Sequence, residues 1–333
     1  MRLLSLFSGI GAFEKALSNL GVKYELVGFS EIDKYAIQSY CAIHGIDESL
    51  NLGDVSKIEN EKLPAADLIT YGFPCQDISV AGLQKGIKEG TRSGLLYEAE
   101  RIIEHVKPKY AIAENVKNLV GKKHRNDFDK LLKRLDEYGY NNYWKILNAK
   151  DYGSAQSRER VFIISIRKDI DNGNFSFNNL KTNKNVVIKD ILEEDVDIKY
   201  NVPREMIQNW YKKKPPFGNR FSIKNREGKA CTLVAKSGRA AITNNYICTT
   251  DEDFQTLKNI KNKESLKEIL EKDIEIRALT PLEYFRLQGF NYEDFKGVEK
   301  ITSDAQMYKQ AGNSICVNVL EAIFKELVRG VEC

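Results

Sequence analysis

Residues 72–76, Gly-Phe-Pro-Cys-Gln, set a thiol on a stiff turn just after an apolar run that reads as a parallel strand. Open α/β sheets bind ligands at that carboxyl edge. Cys75 placed there becomes a nucleophile once nearby positive charge or a helix terminus lowers its pKa. Cys41 and Cys316 fall in helical pattern and read as packing residues. The three histidines (His44, His105, His124) sit in loosely placed contexts, so the base that cysteine-protease chemistry requires is not evident. Ala113-Glu114-Asn115-Val116 closes the neighbouring strand, so Glu114 faces the same edge. A carboxyl group near a thiolate and away from bulk water has a raised pKa and can donate a proton; an ordinary strand-end acid would do neither. Gln156-Ser157-Arg158-Glu159-Arg160 adds two guanidinium groups. Such groups fix planar, oxygen-bearing substrates and offset anionic charge, or else make a surface charge cluster.

A second constellation lies nearer the start. Phe7-Ser8-Gly9-Ile10-Gly11-Ala12-Phe13 follows a strand and opens a helix. Glycines there let the backbone turn tightly and approach a ligand closely. Glu31, after the second strand, stands where an acid commonly bonds ribose hydroxyls, and Asp54 follows the next turn. A glycine turn without a ligand is the plain alternative. The spacing is not the G-x-G-x-x-G of dinucleotide enzymes, which counts against a nicotinamide cofactor.

The elements that must position these groups follow from periodicity. Strands are expected at Arg2–Phe7, Tyr24–Phe29, Asp67–Tyr71, Tyr110–Ala113 and Val161–Ile166. Helices are expected at Ala12–Leu20, from an Asp33 cap to Gly45, and at Asp127–Tyr138. This alternation predicts a doubly wound, mostly parallel α/β sheet. Past residue 170 Asn, Lys and aromatic residues dominate, and periodicity fades until an amphipathic helix around Leu257–Leu270. Thr280-Pro281-Leu282-Glu283 then spells a capping box with proline in the first turn. From Ser314 on, Val319, Leu320, Ile323, Phe324, Leu327 and Val328 mark one apolar helical stripe.

The chain has 333 residues, 42% hydrophobic and 29% charged, which is ordinary globular composition and excludes a disordered chain. The apolar stretch Leu3–Phe13 is too short to span a membrane, and Glu14 and Lys15 follow it where a signal peptide would be cleaved. The six cysteines form no C-x-x-C pair and lie near no histidine at metal-ligand spacing. No disulfide framework and no metal are expected, and a cytoplasmic location is. Lys199–Arg239 holds eleven Lys and Arg against two acids, Glu205 and Glu227. That segment is +9 in a chain of net charge +4, leaving −5 elsewhere. A polyanion partner or a solvated basic loop both fit this charge.

Taken in order, Phe7–Phe13, Glu31, Asp54, Gly72–Gln76, Glu114-Asn115-Val116, Gln156–Arg160, Arg277–Gly289 and Gln306–Asn318 resemble the DNA (cytosine-5) methyltransferases of bacterial restriction–modification systems. The resemblance covers nearly the whole chain, and the unmatched stretch of about 170–276 falls where that family carries target recognition. Ala12 departs from the family's usual glycine, a small crowding of the turn. The resemblance implies a Rossmann-like methyltransferase sheet with a smaller target-recognition domain. Its boundaries would be 1–180 catalytic, 181–304 recognition, and 305–333 a helix returning to the catalytic domain. It implies that Cys75 adds to carbon 6 of a flipped-out cytosine, with Glu114 on ring nitrogen 3. Arg158 would hold the carbonyl oxygen, Arg160 would support the site, and the methyl group would come from S-adenosylmethionine.

The same resemblance puts Phe7, Gly9, Gly11, Glu31, Asp54, Gly72, Pro74, Leu95 and Asn313 around that cofactor. It puts Gln76, Ser79, Lys212, Lys213 and Lys214 on double-stranded DNA. A monomer without membrane association is expected; either a cognate restriction endonuclease acts on the same site in the cell or the enzyme is an orphan. The segment Gln76–Gly94, with Gly82, Gly86, Gly90 and Gly94 among basic residues, is expected to close as a lid. A transfer-RNA enzyme of the same fold is the nearest rival, but its Cys-Phe-Thr signature is absent from the recognition region. A DNA-binding regulator without catalysis would have no need of Cys75, Glu114 and both arginines.

Overall fold

The computed structural model describes residues 1–74, 94–180, 184–206, 222–235, 245–258 and 274–329. It divides into two compact units: 1–148, 159–182 and 314–333 form one, and 149–158 and 183–313 the other. The described strands are β1 Arg2–Leu6, β2 Glu25–Ser30, β3 Leu68–Tyr71, β4 Tyr110–Val116, β5 Tyr140–Asn148, β6 Glu159–Arg167, β7 Ser222–Lys224, β8 Asn245–Cys248 and β9 Ile276–Ala278. The described helices are α1 Ala12–Asn19, α2 Lys34–His44, α3 Leu95–Val106, α4 Arg125–Glu137, α5 Asp251–Lys258, α6 Pro281–Leu287, α7 Tyr292–Glu299, α8 Asp304–Asn313 and α9 Val317–Arg329. No described helix is long and apolar enough to cross a membrane.

The first unit is built on a six-stranded sheet in the order β2-β1-β3-β4-β6-β5. The first four strands run parallel; β6 is antiparallel to β4, and β5 antiparallel to β6. Every residue of β3 is buried, as its unbroken Leu-Ile-Thr-Tyr run demands of a strand covered on both faces. Asp33 caps α2 by accepting from the Tyr35 and Ala36 amides, and Gly45 ends it in the left-handed region at φ 62°. On the sheet's other flank α3 and α4 are joined by a bidentate ion pair. Arg134 donates through Nε and Nη2 to the two oxygens of Glu100, both at 2.7 Å. Burial pushes the Glu100 carboxyl up and Arg134 opposes it. The C-terminal helix α9 packs on α1, with Phe13 and Phe324 edge to face at 6.4 Å.

Some elements differ from expectation, and at β5 no strand was expected. β5 carries no clean alternation because it is the sheet edge, and its residues are mostly half-buried. β4 runs three residues past Ala113, because β6 keeps pairing with it to Val116 opposite Arg160. Helix α9 opens at Val317, so Cys316 is a buried residue just before the helix rather than within it. Of the helix expected at 257–270 only Leu257 and Lys258 are described, and they end α5. The expected lid at 76–94 lies outside the described residues apart from Gly94.

The second unit carries the three-stranded sheet β7-β8-β9. The capping box at Thr280 forms as its sequence dictates: the Thr280 hydroxyl accepts from the Glu283 amide, and Glu283 accepts from the Thr280 amide. The same carboxylate, fully buried, takes both Arg277 guanidinium nitrogens at 2.7 and 2.8 Å and the Glu193 amide at 3.0 Å. Four donors thus saturate Glu283 and bind the turn before α6 to β9. Glu283→Ala is therefore expected to destabilise the protein by about 3–5 kcal/mol in denaturant unfolding, because Arg277 is left buried and uncompensated. Arg277→Met with Glu283→Leu should cost less than the single change; a double variant that is the weaker of the two would contradict this account.

Candidate active site

β1 ends in a turn whose geometry is unusual. Phe7 has φ 55°, rare for a residue with a side chain, and Gly9 and Gly11 follow at φ 57° and 78°. The Ser8 amide donates to the Ser30 carbonyl at the end of β2. The Gly9 amide donates to Glu31 Oε2 at 3.0 Å, while the Ile32 and Asp33 amides donate to Oε1 at 2.8 and 2.9 Å. Three backbone donors therefore fix the Glu31 carboxylate beside the glycine turn.

Asn51 extends the arrangement to the third loop. Its Oδ1 accepts from the Glu31 and Gly53 amides, and its Nδ2 donates to the Glu31 carbonyl at 3.1 Å. Asp54 comes next and caps a short 3-10 turn through Ser56, whose hydroxyl and amide hold its carboxyl below the usual carboxylate range. Phe7, Gly9, Gly11, Glu31 and Asp54 are thus gathered at the carboxyl ends of β1 and β2. Ala12 is buried at the start of α1.

The neighbouring edge carries the second group. Gly72, Phe73 and Pro74 leave β3, and the side-chain Nδ2 of Asn115 at the end of β4 donates to the Phe73 carbonyl at 3.0 Å. Asn115 Oδ1 also accepts from the Val116 amide at 2.8 Å. The segment leading to Cys75 is therefore anchored to β4. A Cβ on Gly72 would lie 3.9 Å from the Glu114 carbonyl, an ordinary contact. Leu95, the first residue of α3, packs against the first unit's core.

Antiparallel pairing sets Glu114 opposite Phe162 and Val116 opposite Arg160. Arg160 is then the diagonal neighbour of Glu114 on one face of the sheet, within reach of a long side chain. Arg160 Nε lies 3.1 Å from Glu114 Oε1, with the two side chains only 16% and 11% exposed. The guanidinium compensates the carboxylate charge that burial would otherwise disfavour. Glu159 points the other way and pairs with Lys117 in solvent.

Arg158 is placed differently. It lies outside β6, in the second unit, and is buried. Its Nη1 donates to the Leu233 carbonyl at 3.0 Å and its Nη2 to the Gly312 carbonyl at 3.2 Å. Gln156 works beside it, accepting from the Leu233 amide at 2.9 Å. A Cβ on Gly312 would fall 2.5 Å from the Val234 backbone, so only glycine permits this approach. Asn313 ends α8 in the second unit and is exposed.

Cys75, Gln76, Ser79, Lys212, Lys213 and Lys214 lie outside the described residues. Among the described cysteines Cys248 is fully buried, its thiol pushed up to about 12 by that burial. Cys316 is buried, Cys41 is half-buried with a raised pKa, and Cys231 is exposed. No described group of His, Cys, Asp and Glu could hold a metal ion.

Residues 1–329 match the family of C-5 cytosine-specific DNA methylases. The chain belongs to that family. The methylase is 35% identical to the orphan methyltransferase M.SPRI of Bacillus phage SPR, over 98% of its own length and 97% of the relative's. It is also 35% identical to the type II methyltransferase M2.ScrFI of Lactococcus lactis subsp. cremoris, over 99% of both chains. The solved structure of the S. pombe Dnmt2 methyltransferase covers both chains in full, with a TM-score of 0.76 at 22% identity, and shows the same fold. The methylase is thus a DNA (cytosine-5-)-methyltransferase on a Rossmann-like sheet. Its sequence named Asn115 within a motif but gave it no task, and passed over Asn51. Asn51 sits two residues before Gly53, a turn signal that could have drawn notice.

Proposed function

We propose that the methylase transfers the methyl group of S-adenosylmethionine to carbon 5 of a cytosine flipped out of duplex DNA, with Cys75 as nucleophile. The observation that carries this reading is the shielded Glu114–Arg160 pair at the strand edge beside Gly72-Phe73-Pro74. The residues at the glycine turn fit the cofactor. Among the described residues no atom lies within 4 Å of where a Gly9 Cβ would stand, which leaves open space there above a preformed turn. Ser8 Oγ, buried beside it, has no hydrogen-bond partner among the described residues. Glu31 would take the ribose hydroxyls and Asp54 the adenine amino group, with Phe7, Gly11, Gly72, Pro74 and Leu95 completing the surround. The bound cofactor supplies an electrophilic methyl group on sulfonium.

Carbon 5 of cytosine is a weak nucleophile until the ring is activated. The Cys75 thiolate adds to carbon 6 while Glu114, entering the step protonated, passes its proton to ring nitrogen 3 and is left as the carboxylate that Arg160 pairs, so the electron pair of the 5,6 double bond is not stranded as a bare anion. Carbon 5, now part of an enamine, takes the methyl group. Water then accepts the carbon 5 proton, ring nitrogen 3 returns its proton to Glu114, and the re-forming double bond expels the thiolate. We assign Arg160, rather than Arg158, to the cytosine carbonyl oxygen: it shares a strand face with Glu114, whereas Arg158 is committed to two backbone carbonyls. Arg158 and Gln156 hold the recognition unit's own backbone. A stacked base is out of reach of such a site, so the target must leave the duplex. Gln76 and Ser79 would follow it to the DNA, and Lys212, Lys213 and Lys214 would meet phosphates. One copy of each group suffices, so the enzyme acts as a monomer.

Incubation with methyl-labelled S-adenosylmethionine and either duplex DNA or transfer RNA tests the reading. Label should appear in DNA as 5-methylcytosine after digestion to nucleosides. Glu114→Gln should slow the single-turnover step by roughly 10²–10⁴-fold, the worth of a positioned acid, with S-adenosylhomocysteine binding unchanged. Label in transfer RNA alone, or lost cofactor binding with turnover intact, would overturn it.

A further inference from the structure

The glycine turn is gripped from a side that the proposed chemistry does not use. His44, the last residue of α2, places its Nε2 3.1 Å from the Ile10 carbonyl, in the middle of the turn. A carbonyl oxygen only accepts, so Nε2 carries the proton. The imidazole also packs on the Gly11 α-carbon: a Cβ there would fall 2.1 Å from His44 Nε2 and 2.9 Å from the Tyr40 ring. One helical turn earlier, Tyr40 stacks on Phe29 at 4.2 Å and lies 4.8 Å from the His44 ring. Its hydroxyl donates to Glu14 Oε1 in the first turn of α1 at 3.0 Å. Helix α2 therefore holds both sides of Gly11, through Ile10 before it and Glu14 after it.

We infer that His44 is a positioning residue for the cofactor, acting through the backbone of Ile10. The turn is tied on both flanks: the Ser8 amide to Ser30 and the Gly9 amide to Glu31 on one, and the Ile10 carbonyl to His44 on the other. Between them Gly9 and Gly11 occupy left-handed conformations, and glycine gives up more backbone freedom on ordering than any other residue. With His44 in place that ordering is complete before a ligand arrives. Without it, the ordering falls on the binding step and lowers affinity. His44 touches neither reacting atom, so its effect belongs in cofactor affinity and not in turnover. The inference rests on the reading of this turn as the S-adenosylmethionine site.

Titration calorimetry with S-adenosylhomocysteine tests it on the intact protein. His44→Leu should weaken binding about 3- to 10-fold, the worth of one hydrogen bond. It should raise the KM for S-adenosylmethionine by the same factor and leave kcat on duplex DNA within about twofold. His44→Gln, whose amide reaches where Nε2 does, should restore most of the affinity. Should the leucine variant fail to fold, His44→Asn takes its place, because its shorter amide stops short of Ile10. Equal binding by wild type and the leucine or asparagine variant would overturn the role of His44. So would a fall in kcat at unchanged KM, or a glutamine variant no better than leucine. A wild type that binds no S-adenosylhomocysteine would fell the cofactor reading itself, and this inference with it.

Discussion

A carboxylate can sit at the edge of a buried sheet only if something compensates its charge, and in this protein the strand register provides it. β4 and β6 run antiparallel, so the residue diagonal to Glu114 is Arg160 and the two meet at 3.1 Å. A one-residue slip would turn Arg160 to the other face and leave Glu114 uncompensated. The reversed strand in an otherwise parallel neighbourhood therefore sets this ion pair as well as the sheet order. It brings an acid and a guanidinium together at the edge where β3 releases the segment that carries Cys75. Asn115 bonds the Phe73 carbonyl from the same strand end, so β4 supplies both the acid and a tie to the residues that leave β3.

The other end of the site follows the same logic with backbone in place of charge. Phe7, Gly9 and Gly11 lie at positive φ, and such a run persists only where its surroundings hold it. Glu31, Ser30 and His44 supply those holds from the second strand and helix. Small, rigid and open above Gly9, the turn suits a ligand that must be presented in one orientation. We regard the first unit as the catalytic part and the second as the part that recognises DNA sequence, with its basic stretch as the electrostatic attraction for DNA.

Much of this was legible in the chain, and the illegible parts share a cause. The glycine turn, the Asp33 cap and the Thr280 box could be read because each depends on residues within a few positions of one another. The bond from Asn115 to Phe73 spans 42 positions and that from His44 to Ile10 spans 34, so no local pattern announces either. The two arginines are a sharper case. At i and i+2 they look equivalent, but β6 begins between them at Glu159. One joins the strand and meets Glu114, while the other turns into the second unit and binds backbone carbonyls. Strand β5 escaped notice because a half-buried sheet edge has no strong apolar period to read.

We propose that Cys75 forms a covalent bond to the target base during methyl transfer. Duplex DNA with 5-fluorocytosine at the target position reports this directly, since fluorine cannot leave carbon 5 as a proton does. With S-adenosylmethionine present, the wild-type enzyme should form a complex that survives denaturing electrophoresis, and peptide mapping should place the modified base on Cys75. Absence of any adduct on a site that the enzyme methylates, or an adduct that persists in Cys75→Ala, would contradict the account.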